Sequence, residues 1–317
     1  MCKVNGTFFE FHHHNTAEGK YWNPAIDRFT AEDWREKVRE IAAIGMEYVV
    51  VMATALYDKC YFQSSVYPFA DIPCADPIEE VLDEADKLNI KVFLGNGFFG
   101  DWQKAAENIV SEEVFVRSTR AMEELAALYG HHASFYGWYY PDEVRINESF
   151  SEDFVRYVNR CSAICHKLTP GKKTLIAPYG TRFVRADEAY VQQLKVLDVD
   201  FIAYQDEVGV RKTAPENTKV YFEALKKAHD AADRSKLWAD VEVFDFEGDV
   251  YKSALIPADF DRIKMQLANV APYVETILVY QYLGLMNPAA SKAFAGHMDS
   301  QKLYSDYMES VKADLYL

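Results

Sequence analysis

The chain has 317 residues, 50% hydrophobic and 26% charged, so it can bury a large core and is not disordered by composition. Its 34 basic against 49 acidic side chains leave a formal charge of −15. That balance counts against a nucleic-acid backbone or an anionic membrane surface as partner, because most of the surface would repel either.

No apolar run approaches the roughly 20 residues of a membrane span, so no membrane insertion is expected. The opening Met1-Cys2-Lys3-Val4-Asn5-Gly6 lacks an apolar signal core. The chain as given is therefore expected in the cytoplasm unless a leader has been removed. Cysteines 2, 60, 74, 161 and 165 are odd in number and lack a framework spacing, so free thiols are expected. The 5 Trp, 21 Tyr and 20 Phe suit a carbohydrate cleft, though most must fill the core.

Short β-branched or aromatic runs alternate with longer stretches of helical spacing. Val4–Phe11 reads as the first strand. Thr30, with Asp33 three residues on, caps a helix over Ala31–Ile44 that Gly45 ends. Tyr48–Ala53 is the continuous apolar run of a buried parallel strand. Asp76-Pro77 opens a helix through Ile78–Leu88, and Lys91–Gly95 is strand three. Strand four, Phe135–Tyr140, follows a helix over Glu112–Tyr129; strand five, Lys173–Ala177, follows one over Phe150–Leu168. Strands six to eight read as Asp200–Tyr204, Lys236–Val243 and Thr276–Tyr280. Helices are expected near Asp187–Lys195, Lys219–Ala232, Ala258–Val270 and Gln301–Asp314.

Eight strand-then-helix units with no composition break predict an α/β fold, a single (β/α)8 TIM barrel over residues 1–317. A doubly wound sheet would carry a glycine-rich phosphate loop after its first strand. This one ends Phe9-Glu10-Phe11-His12-His13-His14 instead.

In such a barrel the chemistry lies where strands end. Those positions offer Glu10 and His12, then Trp22, Asn96, Trp102, Asp142, Glu143, Tyr179, Gln205, Asp206, Asp240, Glu242, Tyr280 and Gln281. Carboxylates among aromatics and amides are what glycoside cleavage needs: one protonated to assist the leaving oxygen, one ionised to attack or to activate water.

Asn5-Gly6-Thr7-Phe8, the Ile44-Gly45-Met46 helix end, Gly130-His131-His132-Ala133-Ser134-Phe135-Tyr136-Gly137-Trp138-Tyr139 and Asp200–Asp206 carry a resemblance. The chain resembles a family of bacterial TIM-barrel proteins, a domain of unknown function described as glycoside-hydrolase-like. It also resembles the large clan of retaining glycosidases, with an acid/base Glu after strand four and a nucleophile Glu after strand seven. That likeness implies Glu143 as acid/base and Glu242, ionised at neutral pH, as nucleophile. The clan's Asn before the acid/base is Asp142 here, which leaves both Asp142 and Glu143 as candidates for the acid. Alternation puts Trp238, Asp240 and Glu242 on one face; Glu242 is preferred as nearer the strand's end.

The plainer readings stand beside these. Acidic residues fall at strand ends by chance, and Asp206-Glu207 serve equally well as substrate contacts or a structural ion pair. Adjacent histidines on a strand face opposite ways, so at most His12 and His14 could share an ion with Glu10, and no metal is expected. Cys161 and Cys165 read as core, and His131-His132 as structural at the barrel's base. The expectation is a glycoside hydrolase, retaining and needing no cofactor, in which Glu10 and His12 bound the inner subsite. Its rivals are a metal-dependent sugar isomerase or epimerase and a non-catalytic glycan-binding barrel. Oligomeric state stays open.

Overall fold

Eight parallel strands close on themselves in the computed structural model, which describes residues 3–314. They are β1 (Gly6–Phe9), β2 (Tyr48–Val51), β3 (Lys91–Gly95), β4 (Phe135–Tyr139), β5 (Lys173–Ile176), β6 (Phe201–Gln205), β7 (Lys236–Glu242) and β8 (Thr276–Tyr280). Each pairs with its sequence neighbour, and β1 closes on β8 with Gly6 beside Leu278. The expected (β/α)8 TIM barrel is the fold.

The main helices are α1 (Ala31–Ala43), α2 (Pro77–Leu88), α3 (Glu112–Tyr129), α4 (Glu152–Leu168), α5 (Glu188–Val196), α6 (Thr218–Ala232), α7 (Phe260–Val270) and α8 (Ser300–Asp314). Their starts are set locally, because a side-chain oxygen can satisfy an amide that the first turn leaves unpaired. The Thr30 amide donates to Asp33 at 2.8 Å, and Asp76, Ser111, Ser151 and Asp187 each accept from the amide three residues on. Gly45, at φ 84°, and Asn89, at φ 56°, end α1 and α2 in the left-handed conformation.

Register decides what the barrel encloses. Gln205 lies level with Asp240, and Glu242 level with Tyr280. Because alternate residues share a face, Trp238, Asp240 and Glu242 climb the inside of β7 in order. Trp238 stacks on Phe201 at 4.2 Å and meets Tyr48 and Phe93 edge-on. This aromatic layer plugs the lower barrel, so the open volume lies above it, at the carboxyl ends of the strands.

Three features differ from expectation. β1 stops at Phe9, so Glu10 to His14 are loop and the alternation rule does not govern their directions. A hairpin, Phe244–Phe246 with Leu255–Pro257, rises after β7, and a smaller one, Ala55–Leu56 with Lys59–Cys60, follows β2. Cys60, Cys74, Cys161 and Cys165 are buried free thiols; Cys2 lies outside the described residues. Among the described residues, no helix is long and apolar enough to cross a membrane.

Candidate active site

A cavity of about 270 Å³ opens above the aromatic plug. Five carboxyls line it: Glu18, Glu143, Glu207, Asp240 and Glu242. Gln205, Tyr179, Tyr251, Tyr280, His14 and one ammonium, Lys212, stand among them, and the hairpin after β7 adds Phe244, Phe246 and Leu255. Lys212 lies 5.5 Å from the Tyr179 ring and 5.2 Å from that of Tyr251.

Glu143 is gripped from both sides. The Tyr139 hydroxyl donates to its Oε1, and Gln205 Nε2 donates to its Oε2 at 2.5 Å. Burial pushes the carboxyl up, these two donors pull it back, and it settles at about 7. It can therefore hold or release a proton at neutral pH.

Glu242 accepts the Val210 amide at 2.8 Å on Oε2. Burial and the neighbouring Asp206 push it to about 8. Burial and the carboxyls around it thus oppose the ionisation of Glu242 that a nucleophile at neutral pH needs. Asp240 is raised well above the ordinary range by burial, then by Glu242, Glu143 and Asp206. Glu18 reaches about 7, mainly through burial.

Two buried carboxyl oxygens in the cavity wall, Asp240 Oδ1 and Glu207 Oε2, have no hydrogen-bond partner within the protein. A buried acceptor left unpaired costs about 1–3 kcal/mol, so both oxygens are placed to bond water or a hydroxyl entering the cavity. Glu207 Oε1 pairs with Arg182 at 3.2 Å, and its backbone sits at φ 55°. A non-glycine residue in that region stores strain of the kind that collects at functional sites.

Of the residues expected to bind substrate, Tyr179, Gln205 and Tyr280 line this cavity, and Trp102 lines its neighbours. The others are corrected. Trp22 is wholly buried, its ring packed against Gly284. Asn96 points to the sulfurs of Met122 and Cys161, between barrel and helices. Asp142 turns away to accept from Asn108 Nδ2 at 2.8 Å. Asp206 sits behind Glu242, holding the Glu242 amide and Gln266 Nε2.

His12 pairs with Asp27 at 2.8 Å and with Asn23. Glu10 and Gln281 bond each other one layer back, where Glu10 also accepts from the Tyr280 hydroxyl at 3.1 Å. Glu10 and His12 therefore support the site without bounding its inner subsite. Glu18, Lys212 and Tyr251 were not anticipated; Glu18 reaches the cavity from a short helical turn, the other two from loops, and none carries a periodic signal. Asp240, Glu207 and His14 were already within reach as strand-end residues, and the packing brings them into the cavity beside Glu143 and Glu242.

Glu10, His13 and His14 bring ligand atoms within 4.8 Å of one another. Their hydrogen bonds do not suit an ion. His13 Nδ1 accepts the Asn15 amide at 3.1 Å, which leaves the ring proton on Nε2, and that edge faces Glu18 at 3.5 Å and Tyr280 at 3.4 Å. A metal at Nε2 would need the proton on Nδ1, against the Asn15 N–H. Burial lowers His13 to about 3, so the ring is a neutral strut.

A model of the family DUF4434, a domain of unknown function, matches residues 4–292. No curated protein matches the chain. Several solved structures share its fold. A provisionally assigned alpha-L-fucosidase from Bacteroides thetaiotaomicron superposes with a TM-score of 0.78 at 17% identity, over 98% of this chain and 93% of that one. The endo-beta-1,4-mannanase of Thermotoga petrophila gives 0.58 at 12%, over 97% and 76%. That of Rhizomucor miehei gives 0.55 at 11%, over 98% and 95%. At these identities the likeness establishes a shared (β/α)8 barrel and nothing finer.

Proposed function

The chain belongs to the DUF4434 family, a domain of unknown function, and from the cleft we propose that it is a glycoside hydrolase acting on a carbohydrate by a retaining, two-carboxylate mechanism. One observation carries the reading: Glu143 and Glu242 line a single small cavity, and the environment holds each carboxyl near neutrality, at about 7 and about 8. Structural neighbours named as glycosidases support the same class.

In this reading Glu143 gives its proton to the glycosidic oxygen while the bond from that oxygen to the anomeric carbon breaks. Glu242, as carboxylate, forms a bond to the same carbon. Water then gives a proton to Glu143 and its oxygen to the anomeric carbon, releasing Glu242. Atoms and charge balance without a cofactor. Tyr139 and Gln205 hold Glu143 in place, and the free oxygens of Asp240 and Glu207 accept sugar hydroxyls.

Two results test it. The active form holds its one proton on Glu143 with Glu242 ionised, the minority arrangement of the singly protonated pair because Glu242 lies above Glu143. Like the majority arrangement, it gains population as pH rises through about 7 and loses it above about 8. The profile of kcat/KM is expected to be a bell with its top between those values; a plateau extending past pH 9 would count against the pair. Glu143→Gln is expected to cost about 10²-fold on substrates with poor leaving groups, within the usual range for acid catalysis. The loss on nitrophenyl glycosides, which need little protonation, should be much smaller. Equal losses on both would remove Glu143 as the acid, and NMR of the first-formed anomer reads retention directly.

A further inference from the structure

Of the five tryptophans, Trp22, Trp34, Trp138 and Trp238 are buried, and Trp102 alone is partly exposed. It stands on the loop after β3, in a single turn over Trp102–Lys104. Two cavities beyond the acidic one meet at its ring. One, of about 490 Å³, lies among Trp102, Phe98, Pro141, Tyr179 and Tyr251. The other, of about 640 Å³, continues past Trp102 toward Tyr57 and Arg117.

Glu143 belongs to both the acidic cavity and the 490 Å³ cavity. A general acid must stand between the sugar that is cleaved and the group that leaves, so this shared position gives the chain of cavities a direction. At about 270 Å³ the acidic cavity falls short of the roughly 300–1,000 Å³ of pockets for drug-sized ligands, which suits one sugar ring. Its rim is tied where the first loop meets the hairpin loop after β7. Lys20 pairs with Glu247 at 3.0 Å, Tyr21 donates to Glu247 at 2.5 Å, and Asn15 donates to the Tyr251 carbonyl at 3.0 Å.

We infer that the cavity beside Trp102 is a leaving-group site for carbohydrate, so that the substrate is an oligosaccharide or glycoconjugate cleaved one unit from its non-reducing end. This rests on the reading of Glu143 as the acid. An aromatic face offers the apolar side of a sugar ring a flat, rigid surface at little entropic cost. The departure at Asp142 now has a use. Its carboxylate holds Asn108, whose Nδ2 also donates to the Asp101 carbonyl at 2.9 Å, directly before Trp102. His14 packs edge-on to the ring, centroids 4.5 Å apart. Asp142 is thus a positioning residue that ties the Trp102 loop to the residue preceding Glu143.

The test starts from the gluco-, galacto-, manno-, xylo- and fuco-configured glycosyl fluorides, whose leaving group has no ring. It continues with the tetrasaccharide of whichever sugar is cleaved. Trp102→Ala is expected to lower kcat/KM on the tetrasaccharide at least tenfold, chiefly through KM, and on the fluoride by at most a few-fold. Asp142→Ala should follow the same pattern more weakly, with Asp142→Asn restoring it, since the amide oxygen can still accept from Asn108. In the wild type, N-bromosuccinimide should oxidise Trp102 first, and the tetrasaccharide should slow that oxidation.

Equal losses on tetrasaccharide and fluoride, or oxidation of Trp102 unaffected by the tetrasaccharide, would overturn the leaving-group site while the hydrolase reading stood. Failure to cleave any of the fluorides or natural glycosides would overturn both, since a leaving-group site needs a reaction.

Discussion

Glu242→Ala is expected to lower kcat on glycosides by on the order of 10⁴-fold, because the group that attacks the anomeric carbon is gone. The protein should still fold. Glu242 is crowded by Asp206, Asp240 and Glu207, and its pKa of about 8 lies above the ordinary 4.5. The sign follows from linkage: a carboxyl raised on folding lends stability in its protonated form, fully present below about 4.5 and lost as pH rises through about 8. Relative to wild type, the variant should therefore gain stability between those values, offset by the lost partner of the Val210 amide. Unfolding by urea at pH 5 and pH 8 measures this directly.

Azide gives the same variant a second readout. It can occupy the vacated space and attack the anomeric carbon of a nitrophenyl glycoside, expelling nitrophenolate. Recovery of turnover with a glycosyl azide as product would place the missing nucleophile at Glu242. Recovery in Glu207→Ala or Asp240→Ala instead would move that role to a neighbour. Turnover near the wild-type level in Glu242→Ala without azide would sink the assignment.

The barrel was legible in the sequence because its signals are periodic and local. Tyr48-Val49-Val50-Val51 reads as a strand buried on both faces, Thr30 with Asp33 as a helix start, and Trp238-Asp240-Glu242 as one face of a strand. The same alternation rule failed on the histidines, since β1 stops at Phe9 and the following loop turns His13 and His14 toward Glu10. Strand ends told which loops surround the cleft but not which way each side chain leaves its loop. Asp142 and Glu143 are adjacent, yet one faces Asn108 and the other Gln205. Their partners decide between them, Asn108 at the end of the turn Ala105–Asn108 for one and Gln205 on β6 for the other. Trp22 illustrates the converse: a strand-end aromatic that suits a sugar platform by position became core, because Gly284 lets the chain after β8 press against its ring.

Glu40→Ala is expected to destabilise the protein by about 3–5 kcal/mol, the usual cost of removing one partner from a buried ion pair. Lys37 on α1 is fully buried, with its ammonium 2.7 Å from Glu40, 2.7 Å from Asn287 and 3.3 Å from Ser291. Burial already pulls the Lys37 pKa down, against the pull of Glu40. Without Glu40 the ammonium keeps two neutral acceptors, and Ser291 loses the carboxylate it donates to at 2.5 Å. Replacing both residues, Lys37→Met with Glu40→Leu, should cost much less, because the charge and its partner leave together. Asn287 also donates to the Ala295 carbonyl and to Ser300, so the pair anchors the segment that runs from Tyr280 at the cleft to the start of α8. Urea unfolding of the single and double variants separates the two cases. A loss below about 1 kcal/mol in Glu40→Ala would mean that water reaches Lys37 and that the segment is held by its apolar contacts instead.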